Sequence, residues 1–434
     1  MALGKTYTKE INPGILDDEE RFKKIPITDI PIMISDSGEI VCIPRETEVF
    51  SAAIVGSSGM GKTMLGNFLV SQLYHSMGYN VALMNDLSDE TYSWSDAMQN
   101  IRFQQYTRWW INQGPCPSPL VYIFPNTNSI TIPDDKLKYK NYLKTVLPFN
   151  EILDDLEFYL KGVLSDFELG KSGNYINDLK EELFQCETPE QVKEVLEENL
   201  PGKEGKSFES MRTKIFNAFN NLMREEILDI TNPECHALLK IKEPEEFISN
   251  PFSVIMKAKG IPSLITSDLI NKKYKSVLIS YYVKNIFKNH LKDFPGEKTF
   301  LYFDELRTIC EKDDEPASKA IADVSARGRI NNVGLIYATQ FYDKIPNSVK
   351  GAKLNYCFTF RHNNAKVLNE IGSDFDLEKT SKDKIKNLKT FECIGLTNKT
   401  FVCYMDGERY EVSKPIKGHI IYPIANHMKP SAEK

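Results

Sequence analysis

Eight residues limit what this chain can fold into. Gly56-Ser57-Ser58-Gly59-Met60-Gly61-Lys62-Thr63 matches the spacing G-x-x-x-x-G-K-[ST]. Glycines at those places let backbone N–H groups turn inward around phosphate oxygens, and a helix starting behind them adds its dipole. Lys62 is placed to reach the β- and γ-phosphates and the Thr63 hydroxyl to hold Mg²⁺; Met64 is taken with them as nucleotide-binding. The flanks agree. Ser51 to Val55 is a compact apolar run, Lys62 to Met77 has a helical pattern, and Asn80 to Met84 is apolar again after Gly78. Strand, glycine loop, helix and strand make a βαβ unit, which predicts a parallel sheet.

Two further apolar runs end in polar side chains. Thr299 to Phe303 leads into Asp304-Glu305. An Asp at such a strand end suits the water shell of Mg²⁺, and the Glu beside it can polarise an attacking water. Paired acids there are also common helix N-caps, and it is the phosphate loop upstream that favours chemistry. A kinase acting on a bound acceptor does not need this Glu, whereas a hydrolysing ATPase does. Gly334 to Ala338 ends in Thr339-Gln340, whose carboxamide can contact the γ-phosphate or the attacking water. Just before it, Arg327-Gly328-Arg329 lies away from the phosphate loop's own turn. Planar guanidinium groups suit transition-state charge, although surface arginines commonly do no more than meet solvent.

The rest of the chain reads as an interrupted α/β core. Ile30 to Pro44 reads as two short strands around a Ser-Gly turn. Leu120 to Phe124 reads as a strand, but most of Asp134 to His236 reads as helix. Ile152, Leu153, Leu156, Leu160, Val163 and Leu164 recur at helical spacing. Thr188-Pro189-Glu190-Gln191 combines an N-cap, a first-turn proline and a capping-box acceptor, and Leu200-Pro201-Gly202 ends that helix. Sheet character is expected again at Phe252 to Met256, followed by a long helix over Thr266 to His290 and a strand at Cys357 to Phe360. Phe391 to Leu396 and Phe401 to Met405 flank a polar tetrad and read as a hairpin. Little periodicity is visible in the tail from Ser413. The predicted division is a short β-containing segment (1–45), the first part of a P-loop ATPase core (46–115), a mainly helical insertion (116–250), the second part of the core (251–412) and a tail (413–434).

Composition excludes several classes. The 434 residues are 41% hydrophobic and include 24 Phe and 20 Tyr, enough for a large core and too many for a disordered or collagen-like chain. No apolar stretch reaches the roughly 18 residues a membrane span needs, and the N-terminus lacks the apolar block of a secretory signal, so a cytoplasmic protein without a membrane is expected. Net charge is 54 − 60 = −6, with nine acids against four bases between Asp178 and Lys206. An acidic total remains compatible with a local basic channel. The eight cysteines contain no CxxC pair and signal neither a zinc knuckle nor a disulfide framework.

Taken together, GSSGMGKT, FLYFDELRTI, ARGRINNVGLIYATQ and LNYCFTFRHNN, in that order, resemble the HerA/FtsK superfamily of ring-forming, DNA-translocating ATPases. Asp86-Leu87-Ser88-Asp89-Glu90 stands where HerA-like proteins carry an acidic D-x-x-x-E signature. It lacks the histidine-glycine pair of that signature. SVIMKAKGIP before a long helix is similar as well, and the resemblance covers about Ile40 to Ser95 and Ser253 to Gly407. It implies a RecA/ASCE-like P-loop NTPase fold, a mostly parallel sheet flanked by helices, with the helical insertion and a C-terminal β-hairpin added. It implies ATP and Mg²⁺ as ligands, a homo-hexamer, and ATP at each subunit interface. Lys62 and Thr63 then take the phosphate-loop roles, Asp304 the Mg²⁺-associated one, Glu305 the general base and Gln340 the γ-phosphate sensor. Arg329 falls at the family's GR pair and is the first choice for an arginine acting in trans, Arg327 the second. Asp86, Glu90 and Arg361, a strand-end arginine, are further candidates.

The leading expectation is an ATP-driven ring motor on double-stranded DNA, gripping the backbone without reading sequence. Lys257, Lys259, Lys272 and Lys273 are possible contacts, equally explicable as a solvated helix flank. A nuclease or other DNA-processing protein is a possible partner. The alternatives are a viral or plasmid packaging or conjugation motor of the same superfamily, and a protein-remodelling or secretion ATPase that uses the acidic insertion as its partner surface. A small-molecule kinase is disfavoured by Asp304-Glu305.

Overall fold

The computed structural model describes residues 29–44, 49–75, 77–85, 120–125, 142–145, 179–183, 185–186, 189–199, 209–210, 213–217, 251–265, 272–350, 354–405 and 408–420. Their strands are β1 (Ile30–Ser35), β2 (Ile40–Ile43), β3 (Ser51–Val55), β4 (Asn80–Asn85), β5 (Leu120–Pro125), β6 (Tyr142–Thr145), β7 (Ile261–Ile265), β8 (Thr299–Phe303), β9 (Val333–Thr339), β10 (Tyr356–Phe360), β11 (Glu392–Thr397), β12 (Phe401–Met405), β13 (Glu408–Val412) and β14 (Ile416–Ile420). The main helices are α1 (Lys62–His75), α2 (Pro189–Asn199), α3 (Pro251–Lys257), α4 (Lys272–Asp293), α5 (Pro316–Arg327), α6 (Ala365–Asp374) and α7 (Lys379–Lys386).

All fourteen strands join one sheet, in the order β13-β12-β2-β1-β14-β11-β10-β3-β9-β8-β4-β7-β5-β6. From β10 to β6 every neighbouring pair is parallel. From β10 to β13 every pair is antiparallel. This is the P-loop α/β fold, with a strand, β9, interposed between the phosphate-loop strand β3 and the acid-bearing strand β8. The central strands β8, β9 and β10 are buried at every position, as expected where both faces are covered, and so they read as unbroken apolar runs.

Side-chain alternation divides the core in two. Ala53, Val55, Leu301, Phe303, Leu335 and Tyr337 face the layer that contains α4 and α5. Their neighbours Ala52, Ile54, Phe300, Tyr302, Ile336 and Ala338 face the layer that contains α1 and the β1–β2 hairpin. Each large side chain enclosed in either layer contributes about 1.5–3 kcal/mol of burial.

The structure departs from the sequence reading in four places. Phe252 to Met256 is helical (α3), and the strand comes afterwards at β7. Pro251 at the helix start and the turn through Lys259, with its positive φ of 57°, set that boundary; a short apolar run cannot by itself distinguish a buried helix from a buried strand. Tyr142–Thr145, inside the segment read as mainly helical, is edge strand β6. β11 and β12 do not pair with each other: β11 lies between β10 and β14, whereas β12 forms a C-terminal hairpin with β13. The tail from Ser413, read without an element of its own, contains strand β14, inserted between β1 and β11. These pairings join distant segments, so no local turn signal announces them. The helix read over Ile152 to Leu164 lies outside the described residues.

Candidate nucleotide site

The phosphate loop joins β3 to α1. Gly59 and Gly61 adopt φ of +73° and +106°, a region side chains with a Cβ rarely enter, and α1 begins at Lys62. The loop is anchored from two strand tips. Gly56 N donates to Thr339 O at 3.3 Å and Ser57 N to Arg361 O at 3.0 Å. A third brace comes from the antiparallel half of the sheet. Phe391 N donates to Met60 O at 3.1 Å, and a Cβ at Gly61 would lie 2.6 Å from the Phe391 ring.

Lys62 is buried, and its ammonium donates to Ser57 O at 3.0 Å, across the concavity of the loop. Burial lowers its pKa, and the nearby carboxylates of Glu305 and Asp304 act in the opposite sense. The Thr63 hydroxyl stands 3.3 Å from both carboxylate oxygens of Asp304, although 241 positions separate them in the chain. Asp304 N donates to Met84 O at 3.1 Å, which secures the tip of β8 to β4. Thr63 and Asp304 supply hard oxygen donors and leave most of a coordination shell unfilled. That set suits Mg²⁺, which keeps several waters and takes phosphate oxygens; when bound, the ion would neutralise phosphate charge.

Glu305 has a positive φ of 58°, uncommon for a residue with a side chain. The turn sends its carboxylate across to β9, where Oε1 accepts from Thr339 Oγ1 at 3.1 Å and from Gln340 N at 3.2 Å. Gln340 therefore meets Glu305 through its backbone. Its carbonyl accepts from His362 Nε2 at 2.8 Å, and His362 Nδ1 accepts from Asn364 N at 3.1 Å. Those two contacts define which nitrogen of the buried His362 carries the proton.

Lys62, Thr63, Asp304, Glu305 and Gln340 are thus brought together at adjacent strand tips. Arg361 borders the loop through its carbonyl, with its side chain exposed. Arg327 and Arg329 are not part of this cluster. α5 runs back from the strand tips, and both arginines lie where β9 begins. The seven residues of β9 separate that end from Gln340 by roughly 20 Å at about 3.3 Å per residue. Arg327 pairs with Asp323 and stacks 5.2 Å over the Phe287 ring. Asp86 and Glu90 lie outside the described residues.

Several contributing residues carry no sequence signal of their own. The buried Tyr302 hydroxyl donates to Asp304 Oδ1 at 3.4 Å, and burial together with Asp304 raises its pKa well above the ordinary phenol value. It fits because position 66 is glycine: a Cβ there would lie 2.2 Å from that hydroxyl. His290 is buried, donates from Nε2 to Asn331 O at 2.6 Å and accepts at Nδ1 from the Thr299 hydroxyl at 2.8 Å, so α4 holds the turn that carries Arg329. His362 and Tyr302 fall within the FRHNN and FLYFDELRTI motifs, neither of which singles them out.

Fold and site together define a P-loop nucleoside triphosphatase architecture in which β9 separates the phosphate-loop strand from the acidic strand. No protein-family model matches the chain, and no curated protein is similar to it in sequence. Among solved structures it is similar to VirB4 of Thermoanaerobacter pseudethanolicus, at 14% identity over 92% of this chain and 97% of that one, with a TM-score of 0.49. It is likewise similar to an unbound form of the bacterial conjugative coupling protein TrwB, at 13% identity over 90% and 89% of the two chains, TM-score 0.49. A shorter likeness, to the genome packaging NTPase B204 from Sulfolobus turreted icosahedral virus 2, covers 35% of this chain and 70% of that one at 14% identity and a TM-score of 0.27.

Proposed function

We propose that the chain hydrolyses ATP with Mg²⁺ and works as a ring motor that moves double-stranded DNA. The observation that carries this reading is the Thr63 hydroxyl lying 3.3 Å from both Asp304 oxygens, with Glu305 directed to the same cleft. Hydrolysis needs the γ-phosphate held, its charge neutralised and a water polarised, and this cluster has a group for each. Lys62 holds the β- and γ-phosphates, Thr63 and Asp304 carry the ion, and Glu305 accepts the proton of the attacking water. The Thr339–Gln340 tip senses the phosphate through its two contacts with Glu305.

The arginines favour an assembly. Arg327 and Arg329 stand one strand length from their own phosphate loop, so help at the γ-phosphate from either of these two guanidinium groups would come from a neighbouring copy. A homo-hexamer closed head to tail satisfies that requirement, with duplex DNA in its channel. Packaging or conjugation is a narrower form of the same reading, and a nuclease or other DNA-processing protein is a compatible partner.

The measurement is ATP turnover with and without duplex DNA over a range of salt. Stimulation whose apparent DNA affinity falls steeply with ionic strength is expected. The exposed acids of α2 (Glu190, Glu194, Glu197 and Glu198) favour a second reading, an ATPase that remodels or secretes protein. Turnover indifferent to every nucleic acid but raised by a protein partner would select it.

A further inference from the structure

Beside Arg327 lies a groove of about 520 Å³ between α4 and α5, which the phosphate site does not use. Lys284, Lys288, Lys292 and Arg327 rim it, and Phe287 and Leu291 form its apolar part. Lys284, Lys288 and Lys292 recur every four residues, so they rise along one face of α4 at about 6 Å intervals. Asp323 is the one acid in the lining, and it is paired with Arg327. Four cations against one paired acid stand out in a chain whose net charge is −6. Nearby hydrophobic side chains are uncovered as well: Leu291 is 46% exposed, and Ile330, next to Arg329, is 87% exposed.

At the other end of the same sheet, the loop after Glu305 has the opposite charge. Glu311, Asp313 and Asp314 are exposed there, with Lys312 among them. The loop is held in shape: Glu311 N donates to Glu315 Oε2 at 2.9 Å, and Ser348 N donates to Asp313 Oδ1 at 3.3 Å. A preordered loop loses little entropy when it docks. It begins where β8 ends, whereas the groove lies where α5 ends and β9 begins. One copy therefore presents an acidic loop at its strand-tip end and a cationic groove at the opposite end.

We propose that the α4–α5 groove of one copy receives the 311–315 loop of the next copy, as a head-to-tail interface that brings Arg329 toward the neighbour's phosphate site. This rests on the ring part of the reading above. The surfaces differ on the two partners, so the contact is heterologous and closes only as a ring or continues as a filament. Complementary charge supplies register, and Leu291 and Ile330 supply apolar area to bury.

Charge reversal and its rescue test this by sedimentation velocity of the full chain with an ATP analogue, with ATP turnover measured in parallel. Lys288→Glu with Lys292→Glu, and separately Glu311→Lys with Asp314→Lys, should each raise the concentration needed for assembly by about tenfold, within reach of two exposed ion-pair sites turned from attraction to repulsion. The chain carrying all four changes should assemble within a few-fold of the parent, a recovery that misfolding cannot produce. If the fourfold variant is as impaired as its two parents combined, or if neither reversal affects assembly, the interface is refuted. It is also refuted if the parent chain stays monomeric at every concentration. An assembling, rescuable chain that never hydrolyses ATP would remove the motor reading and leave the interface standing. A chain that hydrolyses ATP while its assembly ignores the reversals would do the opposite.

Discussion

Glu305→Gln separates binding from chemistry more cleanly than any other single change at this site. The Glu305 carboxylate accepts from Thr339 Oγ1 at 3.1 Å and from Gln340 N at 3.2 Å. A glutamine carboxamide oxygen accepts from the same two donors, so the strand tip keeps its contacts and the fold is unaffected. Lys62, Thr63 and Asp304 are untouched, so ATP and Mg²⁺ should still bind. On the proposed reading, what disappears is the group that takes a proton from the attacking water. General-base assistance is worth typically 10²–10⁴-fold, which at about 1.4 kcal/mol per decade raises the barrier by about 3–5 kcal/mol. Single-turnover and steady-state phosphate release, alongside equilibrium binding of a labelled ATP analogue, measure both halves. Turnover within about threefold of the parent would refute the assignment and place the base elsewhere. Loss of nucleotide affinity in parallel with kcat would refute the claim that the Gln preserves the cleft.

Three other outcomes follow from the geometry. Chains with Arg329→Ala mixed with chains carrying Lys62→Ala should recover part of the lost turnover at hybrid interfaces, because each intact site then draws on a different copy; no recovery in oligomers shown to be mixed would refute action in trans. Gly66→Ala places a Cβ 2.2 Å from the Tyr302 hydroxyl, so melting should show a loss of about 1–3 kcal/mol together with a smaller ATP-induced rise in Tm, and an unchanged Tm would refute that packing. Burial holds the His290 imidazole below its ordinary value of 6.5, against the opposing pulls of Asn331 O and Glu297; the unfolded chain binds the proton more readily, so stability from His290 is full above that pH and is lost as pH falls below it. Tm measured from about pH 7.5 down to 5.5 should therefore fall more steeply in the parent than in His290→Gln, and parallel slopes would refute the assignment.

Much of the site is legible in the sequence because its chemistry is local in the chain. Gly56 to Thr63 needs only its own spacing to form a phosphate cradle, and β8 and β9 announce themselves as apolar runs with polar ends because both of their faces are buried. The tip residues Asp304, Glu305 and Gln340 stand out by that pattern alone, and so does the parallel βαβ core. Pairing in space does not. Nothing near Tyr302 in sequence marks Gly66 as its contact, since the two meet only where α1 crosses β8. The same holds for His290, whose partners belong to β8 and to the turn after α5, and for Phe391, which braces the phosphate loop from the antiparallel half.

Short-range patterns, helical period, strand alternation and glycine spacing, decided which elements form and which side chains are chemically capable. Strand order was decided by long-range packing: it placed β9 between β3 and β8, inserted β14 beside β1, and left Arg327 and Arg329 one strand length from the phosphate-loop end of the sheet. Hydrogen bonds between strands are equally good for many partners, so the choice among them comes from burying both faces of the sheet at once, a condition met only by the assembled chain.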